Sequence, residues 1–273
     1  MKTYVVIPAH NEAARISHVL ADVRSHVPDY GVIVVDDGST DNTVKLAKDS
    51  GAKVFERAHF ERSIQRNFGA SKAKVKYLLF LDADMELSPR VAAECVNKVG
   101  MDEKLGALVI PEESVAKNFW EKVKAFERSF YNLEGDSITD AARFLTREAF
   151  NSVGGYDEKI IGPEDWDLPD SVKSKGYKIG RIDSRIFHHE RISSPFKVAR
   201  KKFYYGLKSH RYLKKQKLPT ISAKTLYFLR PAFYRNWPTL LLHPILSTGM
   251  FVMLTIELIY GGAGFFLGKL LNK

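Results

Sequence analysis

Short apolar runs alternate with amphipathic stretches through the first hundred residues. The runs at 4–7, 32–35, 53–55, 77–81 and 107–110 read as buried strands. Between them, stretches of helical period cover 12–25, 41–50, 61–73 and 89–99. In the first of these, Ile16, Val19, Leu20 and Val23 share one face. This alternation predicts βαβ units, and so an α/β fold with a mostly parallel central sheet flanked by helices. A further strand is expected at 178–182 and a helix at 166–175. No internal repeat or low-complexity segment interrupts the pattern.

The pattern changes near residue 190. From Arg191 to Arg235 there are many Lys and Arg residues and no Asp or Glu, whereas 1–190 is slightly acidic by count. The formal net charge of +10 therefore comes from the tail. Nucleic acid and an anionic membrane surface are the two partner classes such a charge suits. In 195–216, Phe196, Ala199, Phe203 and Leu207 recur at helical spacing among Lys197, Arg200, Lys201, Lys202, Lys208 and Arg211. That predicts an interfacial amphipathic helix, with a solvated helix packed on the body as the alternative. Aromatic residues of the kind found at membrane boundaries follow, Tyr227, Phe228, Phe233, Tyr234 and Trp237, near Arg230 and Arg235. The apolar run 239–260 is long enough to cross a bilayer, but it carries His243, Pro244 and Glu257, and Gly261-Gly262-Ala263-Gly264 interrupts it. A single span, a re-entrant hairpin and a buried oligomer helix all fit. Length and basic flanks favour membrane insertion, with the body on the cytoplasmic side.

The lone Cys95 cannot form an intramolecular disulfide and reads as a small core residue. The N-terminus enters a strand at once, without the charged and apolar leader of a cleavable signal peptide.

Ligands of open parallel sheets bind beyond the carboxyl ends of the strands, and the polar clusters fall at those ends. The first strand leads into Pro8-Ala9-His10-Asn11-Glu12, the second into Asp36-Asp37-Gly38-Ser39-Thr40-Asp41, and the fourth into Asp82-Ala83-Asp84. Residues i and i+2 of an extended chain share a face, so Asp82 and Asp84 point the same way. Two like charges placed so repel unless a cation or solvent compensates them. A divalent metal with oxygen ligands suits the pair, and a solvated acidic turn is the alternative.

These three segments, with Gly154-Gly155-Tyr156-Asp157 and Glu164-Asp165-Trp166-Asp167-Leu168 in the same order, resemble the family 2 glycosyltransferases of the GT-A fold. The resemblance covers roughly 1–189. It implies that Pro8, His10 and Glu12 line a nucleoside pocket and that Asp37 accepts a hydrogen bond from the base. It places Arg66 facing the nucleotide, Asp82 on the ribose or on a metal through water, and Asp84 on Mn²⁺ or Mg²⁺. His188 completes the metal site by the same likeness, with His189 as the other choice. The catalytic base it implies is Asp165, which takes the proton of an acceptor hydroxyl. The chain departs from a frequent family pattern at Leu168-Pro169-Asp170-Ser171-Val172, where an Arg often follows the acidic motif.

The expected organisation is a GT-A catalytic domain over 1–190, basic aromatic interfacial helices over 191–237, and an apolar membrane-associated segment over 238–273. The expected function is metal-dependent, inverting transfer of a sugar from a UDP- or GDP-linked donor to a lipid-linked glycan or polysaccharide precursor. A polyprenyl-phosphate acceptor is the nearest rival. A nucleic-acid-binding protein using the basic tail is the more distant one, since no nucleic-acid motif accompanies the charge.

Overall fold

The computed structural model describes residues 3–271 other than 28, 134 and 137. In chain order it begins β1 (Thr3–Ala9), α1 (Ile16–His26), β2 (Tyr30–Asp37), α2 (Thr43–Asp49), β3 (Lys53–Arg57), α3 (Arg62–Lys72), β4 (Tyr77–Phe80), β5 (Met85–Leu87), α4 (Val91–Met101) and β6 (Leu105–Val109). It continues with β7 (Glu112–Val115), α5 (Phe119–Asn132), β8 (Ala142–Thr146), α6 (Arg147–Ser152), α7 (Glu164–Ser174), β9 (Lys178–Arg181) and β10 (Ile186–His189). Four α-helices follow among the described residues: α8 (Pro195–Lys215), α9 (Pro231–Arg235), α10 (Trp237–Leu242) and α11 (Pro244–Leu270). The chain forms two compact units. The first holds Met1–Pro111, Ala141–Glu158 and Leu168–His188, and the second holds Glu112–Asp140, Lys159–Asp167 and His189–Lys273.

The first unit is built on a seven-stranded sheet of order β3-β2-β1-β4-β8-β6-β9. Every pair is parallel except those of β8, which runs antiparallel to both neighbours. β1 is apolar on both faces because helices cover both faces of the sheet, as the continuous run Val5-Val6-Ile7 requires. Alternation sends Val5 and Ile7 into a core with Ile16, Val19, Leu20 and Val23 of α1. Val6 enters the opposite core with Ile33, Leu78, Phe80 and Ala70 of α3. A small antiparallel pairing of β5 with β10 sets Ile186 opposite Leu87 and His188 opposite Met85.

The expected α/β architecture and its six strands are present. The first helix starts later than the periodicity suggests. Residues 12–15 form a turn in which Arg15 N and Ile16 N both donate to the Glu12 carbonyl at 2.9 Å. The helix expected at 166–175 begins instead at Glu164, so Asp165 lies within the first turn.

In the second unit α5 opens with a capping box, Asn118 accepting from Glu121 N while the Glu121 carboxylate accepts from Asn118 N. Val123 and Phe130 of α5 share a core with Phe233, Met250, Met253 and Leu254. The apolar stretch expected at 239–260 is divided at His243. Pro244 lacks the N–H to continue α10 and occupies the first turn of α11. The four residues 261–264, expected to interrupt it, are helical. Gly264 and Gly268 lie so close to α8 that a Cβ on either would collide with the Phe203 or Leu207 carbonyl. α11 is long and apolar enough to cross a membrane.

Candidate active site

Three strand ends and one helix build the candidate site in the first unit. β1, β2 and β4 are parallel neighbours, so the segments after Ala9, Asp37 and Phe80 emerge at the same edge. Pro8 is paired with Val35 of β2, beyond the point where β4 stops opposite Val6. There its missing N–H breaks no bond to β4. Asn11 takes a positive φ of 54° and ties the first loop to the second. Its N–H donates to Ser39 Oγ at 2.9 Å, its side-chain oxygen accepts from Thr40 N at 2.8 Å, and Glu12 N donates to Thr43 Oγ1 at 2.7 Å.

Asp37 is buried at the end of β2. Its Oδ1 accepts from Phe60 N at 2.7 Å and from the Gln65 amide, and its Oδ2 lies 2.7 Å from His59 Nδ1. His10 Nδ1 donates to the Asp37 carbonyl at 2.8 Å. The ligand atoms of His10, Asp37 and His59 lie within 4.8 Å of one another, and two imidazoles with one carboxylate suit a transition-metal ion.

α3 lies against this edge because Gly69 presses on the sheet, where a Cβ would come within 2.5 Å of Val6 Cγ1. Its consecutive polar residues each reach a different strand or loop. Gln65 goes to Asp37, Arg66 donates to Asp82 Oδ1 at 2.7 Å, and Asn67 donates to the Tyr156 carbonyl at 2.8 Å while accepting from Tyr156 N at 2.9 Å. Gly155 is held at φ 81°, with the Asn67 amide where its Cβ would stand, so the Gly-Gly-Tyr-Asp turn requires glycine there. The Tyr156 ring lies 5.2 Å from the Arg66 guanidinium.

Asp82 also lies 3.5 Å from Arg143 Nη1. Burial alone would raise its pKa, but Arg66, Arg143 and Arg62 outweigh it and hold the carboxyl well below the usual range. Asp84 has a different neighbour. The β5–β10 register brings His188 Nε2 to 3.8 Å from Asp84 Oδ1. That is too long for a hydrogen bond and short enough for both atoms to touch one cation. An oxygen and a neutral imidazole nitrogen fit Mn²⁺, and the carboxylate fits Mg²⁺.

The structure thus brings Pro8, His10, Glu12, Asp37, Arg66, Asp82, Asp84 and His188 to one unit. Asp165 belongs to the second unit, in the acidic first turn of α7. There the neighbouring Asp167 is buried and accepts from Lys215 Nζ and Gln216 Nε2, each at 2.7 Å. His189 begins the last segment of that unit. Residues not expected from the sequence are His59, Gln65, Asn67 and Arg143. The consecutive polar residues Gln65-Arg66-Asn67 in an otherwise amphipathic helix were the available signal for two of them.

Residues 4–154 match the profile of glycosyl transferase family 2, more than half of the chain, and the chain belongs to that family. The 4,4'-diaponeurosporenoate glycosyltransferase of Staphylococcus aureus (strain USA300) is 30% identical over 128 residues, covering 44% of this chain and 34% of that protein. The chain thus matches about a third of the length of its curated relatives. Among solved structures, the mannosyltransferase PcManGT from Pyrobaculum calidifontis, in complex with GDP-Man and Mn²⁺, superposes with a TM-score of 0.59 at 17% identity, over 96% of this chain and 73% of that one. S. aureus TarS 1-349 in complex with UDP-GlcNAc also gives 0.59, at 15% identity, over 96% and 91%. At these identities the likeness establishes the GT-A fold.

Proposed function

We propose that the protein is a metal-dependent, inverting glycosyltransferase. It moves a sugar from a UDP- or GDP-linked donor to a hydroxyl of a lipid-linked glycan or polysaccharide precursor. The observation that carries this reading is the gathering of Asp37, Asp82 and the Asp84–His188 pair at the carboxyl ends of β2 and β4. The solved neighbours, one with GDP-Man and Mn²⁺ and one with UDP-GlcNAc, support a nucleotide-sugar donor and a divalent cation.

In this reading Pro8, His10, Glu12 and Asp37 bind the nucleoside, with Asp37 accepting from the base. Asp82, held in place by Arg66, meets the ribose. Asp84 and His188 hold Mn²⁺ or Mg²⁺, which offsets the charge that grows on the departing diphosphate. Asp165 takes the proton of the acceptor hydroxyl as it attacks opposite the leaving group, which inverts the anomeric centre. The apolar α11 and the basic stretch before it favour a membrane-associated enzyme whose body is cytoplasmic, where a lipid-linked acceptor is adjacent. Nucleic acid is not a partner in this reading.

The test is thermal unfolding of the full chain, in detergent, against a panel of UDP- and GDP-sugars with Mn²⁺ or Mg²⁺. One donor is expected to raise the midpoint in a metal-dependent way, by about 2.7 kcal/mol of stability at a hundredfold excess over Kd. No stabilisation by any nucleotide would sink the proposal.

A further inference from the structure

The second unit exposes an apolar face that its own ion cluster orients. Glu257, midway along α11, is 1% exposed. Its Oε1 accepts from Lys124 Nζ at 3.1 Å, and its Oε2 accepts from Tyr227 at 3.3 Å and lies 3.5 Å from Lys202 Nζ. Lys124 also meets Glu127 at 2.5 Å, so two cations and two anions close on one another. Burial works against the charge on Lys124, but Glu127 and Glu257 outweigh it and its pKa is raised. The cluster turns the stripe Ser247, Met250, Leu254, Glu257, Gly264 and Gly268 inward.

The opposite stripe faces out. Ile245, Val252, Ile259, Phe266 and Leu270 of α11 are exposed, continuing from Leu241 and Leu242 of α10. A groove of about 470 Å³ opens on this side between Phe119, Trp120, Ile245, Thr248 and Val252. α8 runs in the same direction as α11 at backbone contact. Lys202 lies beside Glu257 and Gly261, Phe203 beside Gly264, and Leu207 beside Gly268. Were α11 to cross a bilayer, the length of α8 that carries Lys197, Arg200, Lys201 and Lys202 would enter the hydrocarbon with it. Each such charge is costly there.

We infer that α10 and α11 lie in the plane of one leaflet, pressing this apolar face into an anionic bilayer rather than crossing it. The inference rests on the membrane association proposed above and fixes its geometry. The charge of the same unit supports the choice of surface: residues 191–235 hold thirteen Lys and Arg and no Asp or Glu. Apolar burial and attraction to acidic headgroups then act together, as for interfacial helices generally. The groove, open on this face and apolar, admits a lipid chain.

The test uses the full chain with vesicles of phosphatidylcholine, alone or mixed with phosphatidylglycerol. Flotation is expected with the mixed vesicles and reduced by salt, and Ile259→Glu should weaken it about tenfold or more without lowering the thermal midpoint in detergent. Single substitutions Ile245→Cys, Val252→Cys, Ile259→Cys and Phe266→Cys, spin-labelled with the buried Cys95 left in place, report depth. All four labels should lie at one shallow depth, about 5–10 Å below the headgroups. Depths that differ by about 20 Å between 245 and 259, as a span demands at 1.5 Å per residue, would overturn the in-plane geometry alone. No flotation on either vesicle would overturn the membrane reading itself. A dimer whose contact is broken by Ile259→Glu would give the face to a second copy and overturn the inference. Equal flotation on both vesicles would remove its anionic component.

Discussion

The guanidinium of Arg66, fully buried in α3, donates to Asp82 Oδ1 at 2.7 Å, while Asp84 two residues on faces His188. The two acids of the pair are therefore divided by their partners rather than by exposure. Asp82 is compensated from within the protein, and Asp84 is the acid whose neighbour can join it on a cation. The division follows from topology. α3 reaches the end of β4 from one side of the sheet, and the β5–β10 pairing brings His188 in at Met85.

Removing the charge of Asp82 takes a carboxylate away from a buried cation. Asp82→Asn is expected to lower stability by about 3–5 kcal/mol, because Arg66 is fully buried and cannot recover hydration. Arg66→Met added to Asp82→Asn should cost less than the sum of the two single changes. Urea unfolding of the three variants checks this, and a loss below about 1 kcal/mol for Asp82→Asn would discount the pair.

Among the described residues two sets of side chains could hold a divalent ion, and substitution separates them. His188→Ala should raise the Mn²⁺ concentration needed for half-maximal transfer by roughly tenfold or more. His59→Ala should leave it unchanged. The reverse result would move the ion to the His10–Asp37–His59 triad.

His59 has a different consequence for the nucleoside. Asp37 Oδ1 is engaged by Phe60 N and Gln65, so a base N–H must take Oδ2, where His59 already sits. His59 is 78% exposed, and such contacts are weak. His59→Ala is therefore expected to tighten nucleotide binding by up to about fivefold, and Asp37→Ala to abolish it. Calorimetric titration distinguishes the two, and weaker binding by His59→Ala would make the imidazole a nucleotide contact instead.

The strands that carry this edge were legible because burial on both faces leaves β1, β2 and β4 as apolar runs that lead into polar clusters. Much of the support was not. β5, β7 and β10 have three or four residues each, too few for a period of two to show. Lys124 and Glu257 are 133 residues apart, and no local pattern joins them. Gly261-Gly262-Ala263-Gly264 reads as a break because glycine weakens isolated helices. In the fold the same lack of side chains lets α8 approach, a tertiary gain that propensity does not contain. Pro169 lies inside α7, within the helix expected at 166–175, although it has no N–H for a helical hydrogen bond.

Glu94 of α4 pins the turn that leads into β10. Its carboxylate accepts from Asp183 N at 2.8 Å and Ser184 N at 3.0 Å. Burial pushes its pKa up, but these amides outweigh it and the folded value is lowered. A depressed carboxylate adds stability that is full above its unfolded value, near 4.3, and is lost as pH falls through the folded one. Glu94→Gln should thus be less stable than the parent at neutral pH, the gap closing as pH falls through that acidic window. Urea midpoints from pH 6 downward test it, and a gap independent of pH would assign the effect to packing.

Substitution of Asp165 separates the two acceptor classes. The turn that carries it is anchored at Asp167 by Lys215 and Gln216, so Asp165→Asn, which keeps the side chain's shape, should leave the thermal midpoint and donor affinity as they are. A hydroxyl acceptor must lose its proton as it attacks, and general-base assistance of that kind is worth roughly 10²–10⁴-fold. The variant should therefore lose activity by about that factor at unchanged donor affinity. A phosphate acceptor is already anionic and needs no base. Transfer by Asp165→Asn within a few-fold of the parent would move the acceptor from a glycan hydroxyl to a polyprenyl phosphate. Because an amide cannot take the proton at any pH, raising the pH should restore a hydroxyl-acceptor reaction only in proportion to free hydroxide, and the slope of that recovery separates loss of the base from misplacement of the acceptor.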